Sequence, residues 1–273
     1  MKMTVLLENT CHIEGLQAEH GLSLYLETPN HKMLFDAGTT DLFAQNADAL
    51  GIDLAGVDIA VLSHGHRDHG GGMGHFLARN EKAKVYMRES ALEKHFSQKA
   101  DGLHNAGIWD LGLPRERMVF TGEVEKIDEE LTLFSGVTGR RFWSDSNSNL
   151  MKEEGDGVVL DDFVHEHDLV ISAEGKKILI AGCSHNGIAN ILDRYHELFG
   201  DWPDAVIGGL HLLSPGTGRS VPEAQVRELG AWLKTLPCKY YTGHCTGAEA
   251  YATLKDVLGD QIDALTTGKV FEL

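Results

Sequence analysis

Four potential metal ligands fall within six consecutive residues, His64-Gly65-His66-Arg67-Asp68-His69. Imidazole and carboxylate are borderline-to-hard donors that suit zinc, iron, manganese or cobalt. His64 and His66 can hold one ion from a single turn. Asp68 and His69, a further turn along, can face a second. One loop cannot complete both sites, because a catalytic zinc takes about three protein ligands and keeps a position open for water. The remaining donors must come from elsewhere in the chain. His185, His211 and His244 each follow an apolar run, and each has a glycine nearby. Two ions about 3.5–4 Å apart lower the pKa of a shared water and clamp the attacking and leaving oxygens. The nucleophile of such a site is a metal-bound hydroxide, so no serine or cysteine is required. Asp68 could accept a proton while ligating. His211, the spare histidine, could bind a phosphate or protonate a leaving group.

These side chains need strands that end at a common edge. Val57–Ser63 (VDIAVLS) reads as a buried strand running into His64. Gly21–Thr28 and Lys32–Phe35 flank Pro29-Asn30 and read as a hairpin ending at Asp36-Ala37-Gly38. Asp168–Ser172 and Lys177–Ala181 make a second hairpin, closed by Gly182-Cys183-Ser184-His185. Ala205–Gly209 leads to His211, and Lys239–Thr242 leads to Gly243-His244. Helices are expected over 40–50, 73–80, 188–199, 222–236 and 248–258, with a short one near 90–96. Arg141–Asp161 is polar and reads as a long surface loop. Gly70–Gly74 (GGGMG) reads as flexibility beside the ligand loop and lacks the strand–turn–helix context of a dinucleotide fingerprint. In α/β folds ligands bind at the carboxyl ends of strands, which is the address these histidines share. Glu19-His20-Gly21 could border the same pocket. Cys11 and Cys245 read as structural or wall thiols, since nothing in the sequence activates them.

The run HGHRDH matches the HxHxDH signature of the metallo-β-lactamase fold superfamily, and LFDAG at Leu34–Gly38 resembles that family's first motif. Within it, GCSHNG, GGLHL and TGHCTG resemble the subgroup that contains dihydropterin–ribofuranosylaminobenzene phosphate synthase. The resemblance implies an α/β fold, a four-layer αββα sandwich with a dinuclear site at its edge. It implies two divalent ions, zinc first and iron or manganese as alternatives. His64, His66 and His185 would hold one ion, and Asp68, His69 and His244 the second. Asp36 would orient a ligand histidine through its other ring nitrogen. One departure stands out. Where many members carry a bridging aspartate after glycine, Gly182 is followed here by Cys183. Either Cys183 takes that place, or the bridge is absent and His185 is the third ligand, or His165 or His167 supplies the histidine.

Lys plus Arg number 24 and Asp plus Glu 41, a formal net charge of −17. With no basic run, the chain lacks what a nucleic-acid backbone or an anionic membrane requires. A small molecule remains as the partner, with self-association left open. The 42% apolar and 24% charged content is that of an ordinary folded protein, read as one domain over 1–273. Met1–Asn9 is too short for a signal h-region, no run reaches the ~18–20 apolar residues of a membrane span, and the scattered cysteines suit a reducing cytoplasm. The expected function is a metal-dependent hydrolase of a small phosphate-containing or ester-type substrate. Pterin-phosphate condensation, thioester or lactone hydrolysis and a non-catalytic metal sensor are the alternatives. A redox role of the kind known in the family needs a flavin domain, for which 273 residues leave no room.

Overall fold

A computed structural model describes all 273 residues. Two seven-stranded sheets dominate it. The first runs, in spatial order, Val270–Glu272, Lys2–Leu7, Ser23–Glu27, Lys32–Phe35, Ile59–Val61, Lys84–Met87 and Met118–Phe120. The second runs Ile262–Ala264, Lys239–Thr242, Ala205–Gly208, Lys176–Ile180, Asp168–Ala173, Leu131–Phe134 and Val124–Lys126. Each sheet sets an antiparallel hairpin beside parallel strands. Lys32–Phe35 and Ile59–Val61 therefore point the same way, as do Lys176–Ile180, Ala205–Gly208 and Lys239–Thr242. The loops at their carboxyl ends carry His64, His66, His69, His185, His211 and His244.

The apolar runs are continuous because both faces of these strands are covered. Successive residues go to opposite layers. Met33 and Phe35 face the other sheet while Leu34 faces helices; Ile178 and Ile180 face the other sheet while Leu179 faces helices. One core lies between the sheets, where Val5, Leu24 and Phe35 meet Leu133, Leu169 and Ile207. A second packs the first sheet on Phe43, Ala47, Met73 and Phe76, from the helices Leu42–Ala49 and Met73–Arg79. A third packs the second sheet on Ile188–Phe199, Glu223–Leu233 and Ala248–Leu258. Three apolar interfaces separate four layers, which is the αββα order. Each fully buried Leu or Ile contributes roughly 1.5–3 kcal/mol. Ile188–Phe199 buries Ile188, Ile191, Leu192 and Tyr195, one helical stripe, and ends at Gly200 in the left-handed conformation, φ 77°.

Two expectations fail. Residues 141–161 are not a loop. After a turn at Asp145–Asn149 they form the strands Leu150–Glu154 and Gly157–Leu160. These join His95–Lys99 and Gly102–Asn105 in a separate four-stranded sheet. The strand His95–Lys99 likewise replaces the helix expected near 90–96, of which only the single turn Glu89–Leu92 remains. The partner strand lies some fifty residues away, so no local periodicity announces the pairing. The outer strand, Gly157–Leu160, is exposed throughout.

Within Gly70–Gly74, the first three glycines also differ from the flexible stretch expected, because they are tightly packed, whereas Gly74 faces open space. A Cβ on Gly72 would sit 2.1 Å from the Ala37 carbonyl oxygen and 2.4 Å from that of Thr40. Backbone cannot yield as a side-chain tip can. Gly72→Ala is therefore expected to lose roughly 1–3 kcal/mol or more, seen as a melting temperature several degrees lower at about 2–4 °C per kcal/mol. An unchanged melt would show that the ligand loop is not wedged against the strand end at Asp36.

Candidate metal centre

The loops at this edge begin with residues in the left-handed conformation: Asp36 at φ 59°, Ser184 at 56°, His211 at 47° and His244 at 50°. Such backbone costs of order 1 kcal/mol or more per residue and persists where the surroundings impose it. Here it turns each chain sharply at a strand end and directs side chains into one space.

His64, His66 and His185 converge there. Their ring centres stand 4.7–4.8 Å apart. All three are buried, and the Nε2 atom of each has neither a hydrogen-bond partner nor solvent. Orphaned buried nitrogens are costly, and each needs an explanation. The networks behind them supply one. The Ser63 hydroxyl donates to Asp36 Oδ2 at 2.7 Å, so it accepts from His64 Nδ1 at 2.9 Å. His185 Nδ1 donates to Asn147 Oδ1 at 3.0 Å. In both rings the proton is on Nδ1 and the Nε2 lone pair points inward. Burial, reinforced by repulsion among the neighbouring rings, holds all three histidines well below their usual pKa. Neutral imidazoles with free lone pairs are what a cation requires.

Asp68, His69 and His244 form a second group with Cys183, their donor atoms all within 4.8 Å of one another. Asp68 Oδ2 lies 3.2 Å from His244 Nε2 and 3.8 Å from His69 Nε2. His69 Nδ1 donates to Asp36 Oδ2 at 2.6 Å, and His244 Nδ1 donates to Asn9 Oδ1 at 2.9 Å. Both Nε2 atoms then face inward, 3.1 Å apart. Burial disfavours charge on His69, but the Asp36 and Asp68 carboxylates outweigh it and raise its pKa to about 9. A site that retains a proton against burial is one where positive charge is favoured. Both donor sets thus fit a cation.

Asp36 serves both groups. It is fully buried, accepts the Ser63 amide at 2.8 Å, and holds His64 through the Ser63 hydroxyl and His69 directly. His20 borders the site as expected, 3.1 Å from Asp68 and stacked on His244. His211 packs 4.1 Å from His185, with neither ring nitrogen partnered. Cys183 lies between the two groups, its Sγ 3.0 Å from His69 Nε2.

His165, His167 and His185 differ in their partners. His165 Nδ1 accepts from the Gly65 amide and its Nε2 meets Asp161 at 3.2 Å, so neither nitrogen is free. His167 bonds Thr121 and donates from Nε2 to the Leu62 carbonyl. Burial keeps His167 neutral, with its pKa lowered from 6.5 to about 4. In the unfolded chain it takes up a proton below about 6.5. Its contribution to stability is thus present above that pH and is lost, at about 1.4 kcal/mol per unit, as pH falls toward 4. His167→Gln should therefore flatten the loss of stability between pH 6.5 and 4, measured by denaturant titration. An unaltered slope would remove His167 from the acid response.

Other contributors carry no sequence signal of their own. Asp161 holds His95 and His165 behind His66. Glu166 accepts the amides of His185 and Asn186 at 2.7 and 2.8 Å. Asn147 and Asn9 orient ligand rings from distant segments. Above the site opens a cleft of about 290 Å³, lined by His20, Arg67, Asp68, His185 and His211 on one side and by Ser97, Lys99 and His104 of the four-stranded sheet, with Asn149 of the adjoining turn, on the other. Arg67 pairs with Asp110 and His104 with Asp101, whereas Lys99 has no carboxylate partner. No helix is long and apolar enough to cross a membrane.

The sequence profile of the Metallo-beta-lactamase superfamily matches residues 17–220. A relative from Methanocaldococcus jannaschii, named 7,8-dihydropterin-6-methyl-4-(beta-D-ribofuranosyl)-aminobenzene-5'-phosphate synthase, is 28% identical, the match covering 93% of this chain and 90% of that protein. A solved structure described as a metal-dependent hydrolase of the beta-lactamase superfamily superposes with a TM-score of 0.80 at 26% identity, over 100% of this chain and 99% of that one. Zn(2+)-bound PqqB from Methylobacterium extorquens shares the fold, with a TM-score of 0.59 at 12% identity over the whole of both chains.

Proposed function

The chain belongs to the metallo-beta-lactamase superfamily, and from that premise we propose that it is a two-metal hydrolase of a small phosphate-bearing molecule. The reading rests on one observation: the buried, unpartnered Nε2 atoms of His64, His66 and His185 lie beneath an open cleft. His64, His66 and His185 would hold one divalent ion, and Asp68, His69 and His244 the second. Bound there, such ions would lower the pKa of a shared water and neutralise charge on a phosphoryl or carbonyl oxygen.

The chain's own residues do the rest. Asp36, Ser63 and Asn147 fix the ring tautomers, so the lone pairs need no reorientation when a ligand arrives. Asp68 is partly open to the cleft; burial disfavours its charge, but His69, His20 and His244 outweigh it and hold the carboxyl ionised, well below the usual carboxylate range. His211 offers two free ring nitrogens beside His185, placed to hold a phosphate or protonate a leaving oxygen. Lys99 stands at the rim without a direct ion-pair partner, in a chain whose net charge is −17. A cation preserved at one mouth of so acidic a protein favours an anionic substrate over a neutral ester or lactone. It would also favour a small ligand over nucleic acid. The open cleft argues against a sensor with saturated ligands, since turnover needs an accessible position.

A second reading is favoured by the synthase relative, which matches nearly end to end. A condensation that releases a phosphate-type leaving group would use the same ligands and the same anion-holding rim.

The test is a panel of phosphodiesters, phosphomonoesters, thioesters and lactones offered to the metal-loaded protein. Turnover should appear on the phosphate compounds and vanish on chelation. Lys99→Ala should raise KM several-fold and leave kcat unchanged, the pattern of a lost uniform binding contact. Turnover confined to thioesters or lactones would overturn the phosphate assignment. Condensation of a pterin phosphate without hydrolysis would favour the second reading.

A further inference from the structure

Two thiols meet in the floor of the cleft. The sulfurs of Cys183 and Cys245 lie within 4.8 Å of each other and of a His211 ring nitrogen. Cys245 Sγ donates to the Cys183 carbonyl at 3.6 Å and accepts the His211 amide at 3.3 Å. The two cysteines follow the strands Lys176–Ile180 and Lys239–Thr242, between which only Ala205–Gly208 intervenes. That middle strand runs into Gly209, where a Cβ would sit 2.4 Å from Cys245 Sγ and 3.6 Å from Cys183 Cα. A side chain there would intrude on both cysteines, and glycine leaves the space open. Cys183 is 2% exposed and Cys245 1%, yet both line the cleft, so a molecule small enough to enter it meets both. The other two cysteines stand apart: Cys11 lies beside Thr267, and Cys238 is buried in the core under the helices of the second sheet.

We propose that Cys183 and Cys245 are a peroxide-responsive pair, which a peroxide entering the cleft converts to a disulfide that ties the His185 loop to the His244 loop. One sulfur attacks a peroxide oxygen, the O–O bond breaks, and a sulfenic acid and a water form. The second sulfur attacks the sulfenic sulfur, the S–O bond breaks, and a second water leaves. Both sulfurs are oxidised, both peroxide oxygens are reduced, and the two S–H protons end in the two waters. A thiol poised beside a second thiol stops at the disulfide, which reductants reverse, instead of running on to sulfinic acid. His185 lies two residues beyond Cys183, and His244 immediately precedes Cys245. The new bond draws the sulfurs closer than their present contact. Ser184 and His244 already hold left-handed backbone that their surroundings impose. The His185 and His244 rings therefore shift from the positions in which Asn147 and Asn9 hold them.

The cross-link stands independently of any bound ion; its effect on the histidine loops rests on the two-ion reading. The test treats the metal-free full chain with hydrogen peroxide and maps its peptides. A peptide joining Cys183 to Cys245, short of two hydrogens and released by dithiothreitol, is expected in the parent and in a Cys11→Ser, Cys238→Ser double variant. Cys183→Ser and Cys245→Ser should each form no link. Cooperative melting of every variant checks that it is folded. Added oxygen on either cysteine of the parent in place of the link, a link only between two copies, or both thiols unchanged overturns the pair. The cross-linked parent should bind zinc about tenfold more weakly, read as a smaller zinc-induced rise in melting temperature, and dithiothreitol should restore the rise. An undiminished rise in the cross-linked chain overturns the coupling to the histidine loops. No rise even in the reduced chain overturns the two-ion reading and leaves the cross-link standing.

Discussion

Replacing His185 by alanine should lower turnover by about a thousandfold or more while the chain stays folded. The ion this ring helps to hold is asked for several kcal/mol of charge stabilisation, and about 1.4 kcal/mol corresponds to each tenfold in rate. The side chain stacks on Phe163, ring centres 4.5 Å apart, and packs beside His211. Its removal therefore leaves a small cavity, but it also deletes a buried nitrogen with no partner. The two effects oppose each other, so the metal-free variant should melt close to the metal-free parent. The contrast appears when zinc is added. The parent should gain stability with ligand concentration, about 2.7 kcal/mol at a hundred times Kd, and the variant should gain much less. An equal zinc-induced shift in both would remove His185 from the ligand set.

Asp36→Asn should weaken binding of the second ion by about 10–100-fold, the usual scale for the groups that orient metal-binding histidines. The carboxylate accepts three hydrogen bonds: the Ser63 amide, the Ser63 hydroxyl and His69 Nδ1. An asparagine can keep the first through its oxygen. Its NH2 group then faces two donors. His69 is driven to place its proton on Nε2, the atom aimed at the ion, and the Ser63 hydroxyl loses the acceptor that sets the His64 tautomer. Asparagine tolerates the left-handed conformation at this position, so the change isolates the hydrogen bonding from the backbone. The measurement is a competitive metal titration, read separately for the tighter and the weaker ion. Unchanged affinity at both would show that Asp36 has a packing role only.

The histidines that converge at this edge were legible because His64, His185 and His244 each come just after an apolar strand. Val57–Ser63 and Lys177–Ala181 are short runs whose central residues are buried on both faces, Lys239–Thr242 alternates buried and half-buried residues, and the polar residue next to glycine at the end of each has one place to go. The second layer was not legible, for reasons of distance. Asn147, Asn9, Glu8 and Asp161 reach the site from segments whose local patterns say nothing of it. Glu8, for example, accepts the His244 amide across 236 residues of sequence. The four-stranded sheet was hidden in the same way. Three of the five residues of Leu150–Glu154 are charged: Lys152 is buried with its ammonium on Asp162, and Glu153 and Glu154 are exposed. Short polar strands of that kind are defined by a remote partner, here His95–Lys99. His165 and His185 illustrate the limit from the other side. Both are buried histidines near a strand end, and the hydrogen bonds that occupy one and spare the other appear only in three dimensions.

Metal quantification of the purified, untreated protein bears most directly on the whole account. About two transition-metal ions per chain are expected, with loss of one in His185→Ala and of both when His64, His66 and His185 are replaced together with His69 and His244. A folded protein that carries no metal and gains no stability from zinc, cobalt, iron or manganese would contradict the account.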